Sequence, residues 1–425
     1  MTARVIAYAV RSGIVGLNVV TGALTTDAAT AALPVDFVRT PDELARAVAA
    51  AGTAPVLVAW SFYSTDLARM RADLARVRAL TAGAAAAITH VAGGVHATAE
   101  PAATVDAGWD LVAIGEGEAT MVALGRALAT GGDLRAVRGL AYRDGAGALV
   151  TTGAAERAPL GAYPPWNPQH HRWNPIEITR GCIYACSFCQ TPFMWKARFR
   201  HRPVDDVRRW VRELVAAGGR YVRFLTPTAL SYGSAGPEVD LAAVTELLAT
   251  VRAELPPGGK LYFGSFPSEL RPEHVTPEAM AVLARYVDNR HVVLGGQSGS
   301  PRVLDAMRRG HDVAAVERAV AVAVAAGFVP DVDLLLGLPG ETPADQALTM
   351  ALAERLVAAG ARIHSHAFMP LPGTPLKDAP PAPIAAPVAA ALTRLEGRAD
   401  TYGQWRAQTA AADALVQLRR ERPRQ

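Results

Sequence analysis

Cysteine is the scarcest chemistry-bearing residue here: a chain of 425 residues has three, all within eight consecutive positions, Cys182 to Cys189. A disulfide framework would favour an even number spread along the chain, so a tight odd group points to metal or redox chemistry. Long apolar runs are also missing. Half of the residues are hydrophobic, yet the longest uninterrupted candidate, Ala319 to Val329, falls short of the roughly 18 residues that cross a bilayer. The N-terminus lacks the basic-then-apolar layout of a secretory leader. Together these features predict a cytoplasmic protein with no membrane partner. A net charge of +4 comes from scattered Arg, and there is no long basic tract of the kind that nucleic-acid binding needs. The local exceptions are Lys196 to Arg202 and the tail Arg419 to Arg424, the latter read as a solvated terminus. No internal repeat is present beyond strand-helix alternation.

That alternation sets the expected architecture. From residue 4 to about 130, Val5–Val10, Val56–Trp60, Ala87–Val91 and Leu111–Ile114 read as buried strands. Amphipathic stretches such as Asp42–Ala50 and Asp66–Leu80 lie between them. The pattern predicts an α/β unit with a doubly wound, Rossmann-like parallel sheet that binds ligands outside the carboxyl ends of its strands. Residues 131–172, rich in Gly and Pro, read as two small strands and a linker. A second series, residues 173–376, has six apolar strands near residues 176, 222, 262, 292, 332 and 363. Five helices fit between them; the first, Val204–Ala217, carries an apolar stripe at helical spacing. Six such units make a partial (β/α)6 barrel of TIM type, whose reactive groups belong on the loops after its strands. Residues 377–425 form a C-terminal helical extension, with Tyr402 and Trp405 expected on its last helix.

The cysteines obey the loop rule, since they follow the strand Ile176–Thr179 directly. In Thr179-Arg180-Gly181-Cys182-Ile183-Tyr184-Ala185-Cys186-Ser187-Phe188-Cys189 the thiols are spaced by three residues and then by two. Three thiolates on such a loop reach three irons of a [4Fe–4S] cubane and leave the fourth open to a small chelating molecule. The rival reading, structural zinc, wants four ligands in two pairs, for which His170, His171 or His201 would have to serve.

With an aromatic residue just before its third cysteine and a barrel strand before it, this loop resembles the radical S-adenosylmethionine (radical SAM) superfamily. The resemblance implies reductive cleavage of the sulfonium, with Phe188 against the adenine. Gly337-Leu338-Pro339-Gly340-Glu341-Thr342 is similar to a segment common in that superfamily, and is also a strand-to-helix turn with Thr342 as N-cap. The Gly-Gly-Glu-like stretch of the family is replaced by Phe224-Leu225-Thr226-Pro227-Thr228, so Thr226 or a backbone carbonyl would meet the methionine amino group. Ser268 and Glu269 suit the ribose hydroxyls and Arg271 the methionine carboxylate, with an exposed ion pair as the alternative. Gln297 and Ser298 offer either cofactor contacts or turn chemistry.

The N-terminal unit, residues 1–130, resembles the cobalamin-binding domain fused to radical barrels in a large subgroup. Its expected contacts are Ser61, Ser64 and Thr65 after one strand, Gly93, Gly94 and His96 after the next, and Gly115, Glu116 and Gly117 after a third. Many such domains carry a cobalt-ligating His in the loop after the first strand. Here that loop reads Arg11-Ser12-Gly13-Ile14-Val15-Gly16. His96 is the alternative ligand, although a His beside a Gly-Gly turn more often hydrogen-bonds or caps a helix.

The resemblance implies an enzyme with a [4Fe–4S] cluster, S-adenosylmethionine and cobalamin as cofactors. The leading expectation is methyl transfer to an unreactive centre of a small molecule or peptide, with flavodoxin or ferredoxin as electron donor. The alternatives are cobalamin-dependent rearrangement or cyclisation, and a non-catalytic cobalamin sensor. Methylthiolation of tRNA needs another cysteine-ligated cluster, for which three cysteines do not suffice. His364 and His366 alternate along the sixth strand and point the same way; with Tyr402 and Trp405 they are expected at the substrate pocket. The basic run Lys196, Arg198, Arg200 and Arg202 is read either as an anion attractor or as a solvated loop.

Overall fold

A computed structural model describes residues 2–195 and 197–420, so Lys196 and the end of the basic tail lie outside the described residues. The chain divides into two compact units, Met1–Asn174 and Pro175–Gln425.

In the first unit the expected apolar runs become β1 (Arg4–Tyr8), β3 (Val56–Ser61), β4 (Ile88–Gly93) and β5 (Leu111–Ala113), while β2 (Val35–Val38) is an additional strand. These five pair in parallel in the order β2-β1-β3-β4-β5. Both faces are covered, because alternate residues enter different cores: Val5, Ala7, Leu57 and Ala59 pack on one side, and Ile6, Tyr8, Val58 and Trp60 on the other. Such two-sided burial is why these strands read as continuous apolar runs rather than as alternation. The chain reverses direction across the sheet between β1 and β3, and that switch point is where open α/β sheets take ligands.

Residues 131–172 are more than a linker. β6 (Leu140–Arg143) and β7 (Leu149–Thr151) continue the same sheet in antiparallel fashion to give seven strands. The stretch that follows packs on the Ile14–Ala23 helix. Asn167 is buried and its Nδ2 donates to Thr21 Oγ1 at 3.1 Å. Trp166 is fully buried, and a Cβ on Gly22 would stand 2.0 Å from its carbonyl oxygen.

The second unit opens with β8 (Ile176–Glu177), β9 (Thr179–Arg180) and β10 (Arg200–His201), then β11 (Tyr221–Leu225), β12 (Lys260–Tyr262), β13 (His291–Gln297), β14 (Val329–Leu336), β15 (Arg362–Ala367) and β16 (Thr401–Gly403). β12-β11-β8 and β13-β14-β15-β16 are two parallel sheets. The single parallel bridge Leu270↔Leu294 joins the segment after β12 to β13. The six expected barrel strands are thus present, flanked by the Val204–Ala216, Leu241–Glu254, Pro277–Tyr286, Val313–Ala325 and Pro343–Ala358 helices. The last of these starts at Thr342, whose side chain forms a reciprocal capping box with Asp345, satisfying backbone donors that the first turn leaves open. The seventh strand, β16, takes Tyr402 out of the terminal helix, which begins at Trp405. No helix among the described residues is long and apolar enough to cross a membrane.

Candidate functional site

The cysteine loop leaves the barrel after β9 and returns at β10, and these two strands pair antiparallel at its base, Arg180 with Arg200 and Thr179 with His201. Glu177 accepts from Arg180 at 3.0 and 2.6 Å, bracing the exit. Gly181, at φ 82°, makes the turn that starts the loop. The loop is docked along its length. Ser187 N–H donates to the Met307 carbonyl at 3.0 Å, and Gln190 Nε2 donates to the Pro372 carbonyl at 2.6 Å. Cys182 and Cys186 are buried and Cys189 is half-buried. Burial pushes the Cys182 thiol up to about 12 and moves Cys189 in the same direction, so iron binding here would displace protons. His201 is not a zinc ligand, because Nδ1 meets Thr179 Oγ1 at 2.9 Å and Nε2 meets the Ser234 carbonyl at 2.7 Å.

Arg309, absent from the sequence reading, is the cation of this site. It is almost fully buried, donates to the Gly295 carbonyl through Nη2 at 2.6 Å and places Nη1 3.7 Å from Cys186 Sγ. A buried guanidinium aimed at a sulfur suits a thiolate that ligates iron, so the residues present fit a cluster. The signal was the Met307-Arg308-Arg309-Gly310-His311 stretch, which lacks a local pattern that would mark it.

Near this loop is a cavity of about 240 Å3 whose lining includes Phe188, Glu269, Gln297, Asp333, His366 and Gln408. Three residues expected at S-adenosylmethionine, Phe188, Glu269 and Gln297, therefore meet there. Burial pushes the Glu269 carboxyl up, Arg309 opposes, and the hydrogen-bonding contact with Asp333 raises it further, to about 7. The other four do not line the cavity. Thr226 is buried, with its hydroxyl on the Thr228 carbonyl at 3.1 Å. Ser268 is buried beside it through a parallel bridge. Ser298 shares a hydrogen bond with Thr349 Oγ1 at 3.1 Å and accepts from Ser300 N–H, which is turn chemistry. Arg271, expected to meet a carboxylate, is already taken by Glu273 at 2.5 Å, by the Arg309 carbonyl and by the Tyr184 ring face at 3.5 Å.

Of the residues expected at the substrate, only His366 lines the cavity. His364 lies behind it, with Nδ1 2.8 Å from Asp333 Oδ1 and its ring stacked on Tyr402 at 4.5 Å. Trp405 faces elsewhere: its indole N–H donates to Glu396 Oε1 at 3.1 Å and Arg406 covers its ring. Three residues later on the same helix, Gln408 is the one that reaches the cavity. In the basic run, Arg198 is exposed while Arg202 is buried against Asp206 and the Glu177 carbonyl, so the latter is structural.

In the first unit the expected contacts gather at the carboxyl ends of β3, β4 and β5. Ser61 ends β3 and Gly93 ends β4. Gly94 is at φ 86°, where a Cβ would also come 2.7 Å from Ser61 Oγ. Gly115 is at φ 91° and its N–H donates to Thr98 Oγ1 at 3.1 Å. Glu116 stands at the N-cap position of, and Gly117 begins, the Gly117–Thr130 helix. Gly13, after β1, presses closer still, with a Cβ position 1.8 Å from the Ser61 carbonyl oxygen. Gly13 and Gly94 thus let the loops after β1 and β4 pack on Ser61, while Gly93, Gly94 and Gly115 stay partly exposed at the strand ends beside the switch point, where such sheets take ligands and a cobalamin would fit. Thr65 is exposed. Ser64 and His96 are buried and bonded to each other, Oγ to Nδ1, at 2.9 Å, which gives His96 the hydrogen-bonding role.

Comparison with known proteins agrees with this geometry. Residues 176–353 match the Radical SAM superfamily. The tRNA-2-methylthio-N(6)-dimethylallyladenosine synthase of Halorhodospira halophila is 33% identical over 251 residues, which is 57% of this chain and 50% of that protein. The enzyme of the same name from Saccharophagus degradans is 34% identical over 48% of this chain and 44% of its own. The chain thus spans about half the length of the curated relatives it matches. Among solved structures, the radical S-adenosylmethionine methyltransferase TsrM from Kitasatospora setae, with cobalamin and a [4Fe–4S] cluster bound, superposes with a TM-score of 0.69 at 19% identity, over 89% of this chain and 74% of that one. The cobalamin-dependent S-adenosylmethionine radical enzyme OxsB gives 0.67 at 14% identity, over 84% and 52%. The chain therefore contains a radical SAM domain and has the fold of the cobalamin-dependent radical SAM enzymes.

Proposed function

We propose that the chain is a cobalamin-dependent radical SAM methyltransferase acting on a small molecule. The observation that carries this reading is the cysteine loop: three thiols held against the barrel with a buried guanidinium on one sulfur, in a chain whose fold follows TsrM over 89% of its length. When bound, the cluster supplies the electron that cleaves the sulfonium, and cobalamin supplies the methyl group.

The chain's own residues bind, orient and exclude water. Cys182, Cys186 and Cys189 hold the cluster. Phe188, packed with Val303, Leu304, Met307, Leu335 and Phe368, gives S-adenosylmethionine an apolar wall, while Glu269 and Gln297 offer polar contacts. Arg309 holds positive charge beside the cluster sulfurs. In the first unit, Gly94 and Gly115, partly exposed at the strand ends, admit the corrin, and Gly13 lets the loop after β1 pack on Ser61. His96, tied to Ser64, is not offered as a cobalt ligand. A small flavoprotein or ferredoxin would deliver electrons.

The relatives that act on tRNA match only part of their length, and the name of their product includes a methylthio group. This chain has three cysteines in total, all in one loop, which favours methyl transfer over sulfur insertion. Methyl-deuterated S-adenosylmethionine tests this: the account predicts label in the product together with 5′-deoxyadenosine and S-adenosylhomocysteine. Unlabelled product without S-adenosylhomocysteine would replace methylation by rearrangement.

A further inference from the structure

The polar end of the barrel cavity is built by residues that neither the cluster nor the S-adenosylmethionine contacts account for. β14 and β15 pair with Asp333 opposite His364 and Leu335 opposite His366, so that both imidazoles stand over one carboxylate. His364 Nδ1 lies 2.8 Å from Asp333 Oδ1, His366 Nε2 lies 3.6 Å from the same oxygen, and the two nitrogens are 3.0 Å apart. Three such atoms within reach of one another resemble a two-His, one-carboxylate metal site. Gln408 decides between that and a proton-holding site. Its Oε1 accepts from Ala367 N–H at 2.9 Å, which fixes the amide, since a backbone N–H only donates. Its Nε2 then faces His366 Nδ1 at 3.2 Å. Nδ1 is thus the acceptor and the ring proton sits on Nε2, where a metal would need a lone pair. That Nε2–H points at His364 Nδ1, 3.0 Å away, and of the two rings only His364 is within hydrogen-bond distance of Asp333.

Burial alone would raise the Asp333 carboxyl, but the two imidazoles beside it, His364 first, outweigh burial and bring it below its ordinary value. Beside it stands the second carboxyl, Glu269, and neither Lys nor Arg is among the residues lining the cavity. Much of the remaining lining is apolar, with Phe188, Leu335 and Phe368. An anion at one end of an apolar pocket fits a cation with an apolar body.

Resting on the radical methyltransferase reading, we propose that Asp333 anchors the ammonium group of the substrate, an amine that carries an apolar or aromatic moiety, with His364 and Gln408 as positioning residues and His366 at the wall. The same chemistry would suit the methionine ammonium of S-adenosylmethionine, and the test separates the two sources. Phenethylamine is the probe, phenethyl alcohol its neutral counterpart, and binding is measured by calorimetry on the reconstituted full chain without reductant. The amine should bind roughly tenfold more tightly than the alcohol, and Asp333→Asn should abolish that preference. Saturating S-adenosylhomocysteine should leave amine binding in place. Equal affinities, a preference that survives in Asp333→Asn, or competition with S-adenosylhomocysteine would each overturn the assignment.

Should Asp333→Asn not fold, nitrogen-15 NMR of histidine-labelled wild-type chain with the oxidised cluster reads the array directly. His366 as the Nε2–H tautomer, with His364 and His366 shifted by phenethylamine but not by the alcohol, is the expected result. An Nδ1–H tautomer at His366, or no shift, contradicts it. Because no turnover is involved, failure here is distinct from failure of the radical reading, which shows as absence of 5′-deoxyadenosine from the wild-type enzyme.

Discussion

Gly295 and Arg309 depend on each other: a Cβ at residue 295 would stand 2.0 Å from Arg309 Nη2, and the same guanidinium is anchored on the Gly295 carbonyl. In Gly295→Ala the guanidinium must leave that carbonyl and move relative to Cys186. Losing these charged hydrogen bonds should lower stability by about 2 kcal/mol and speed loss of iron in air, read as decay of the cluster's visible absorbance; iron retention equal to wild type would show that Arg309 does not support the sulfurs. Glu269 gives a pH prediction. Its carboxyl is raised from 4.5 to about 7 by burial, so over that window the native chain holds a proton that the unfolded chain has released. Stability therefore falls as pH rises through the window, by up to about 3 kcal/mol. Glu269→Gln should remove that fall, and a denaturation profile as steep as wild type's over the same window would contradict it. The cysteines were legible because their motif is contiguous. Asp333, Arg309 and Gln408 were not, since they join the site only through strand register and helix phase. His364 and His366 did point the same way, as their alternation requires. Trp405 misled because its apolar bulk suggested a pocket wall, whereas its N–H is satisfied by Glu396.

Among the elements, strongly apolar strands were read from sequence to within a few residues, and weakly apolar ones were missed. β2 has Asp36 in its middle, and β16 has only three residues, of which Thr401 alone is buried. The Gly- and Pro-rich stretch after residue 131 looked like a linker because its strands are short and its contacts are distant in sequence. Its attachment rests on close approach of backbone: Gly22 lies against the carbonyl of Trp166. Gly22→Ala would set a methyl 2.0 Å from that oxygen, so helix and segment must part. The expected cost is about 1–3 kcal/mol, seen as a lower denaturation midpoint and faster proteolysis between residues 152 and 174. An unchanged midpoint and cleavage rate would mean that the segment is only loosely attached.

At the scale of the whole molecule, the α/β class, the doubly wound first unit and the six-strand barrel followed from the period and length of the apolar runs, because fully buried parallel strands leave that record. The start of the second unit was read at residue 173, but the end of the first was not: composition changes at 131, whereas its packing runs on to Asn174. The central claim is that this chain uses its cysteine loop to cleave S-adenosylmethionine. Anaerobically reconstituted wild type, given S-adenosylmethionine and a strong reductant, should form 5′-deoxyadenosine, and Cys182→Ala, Cys186→Ala and Cys189→Ala should each reduce it at least roughly a hundredfold while losing iron. Wild type that binds zinc in place of iron and yields no 5′-deoxyadenosine, or a cysteine variant that retains full cleavage, would contradict the account.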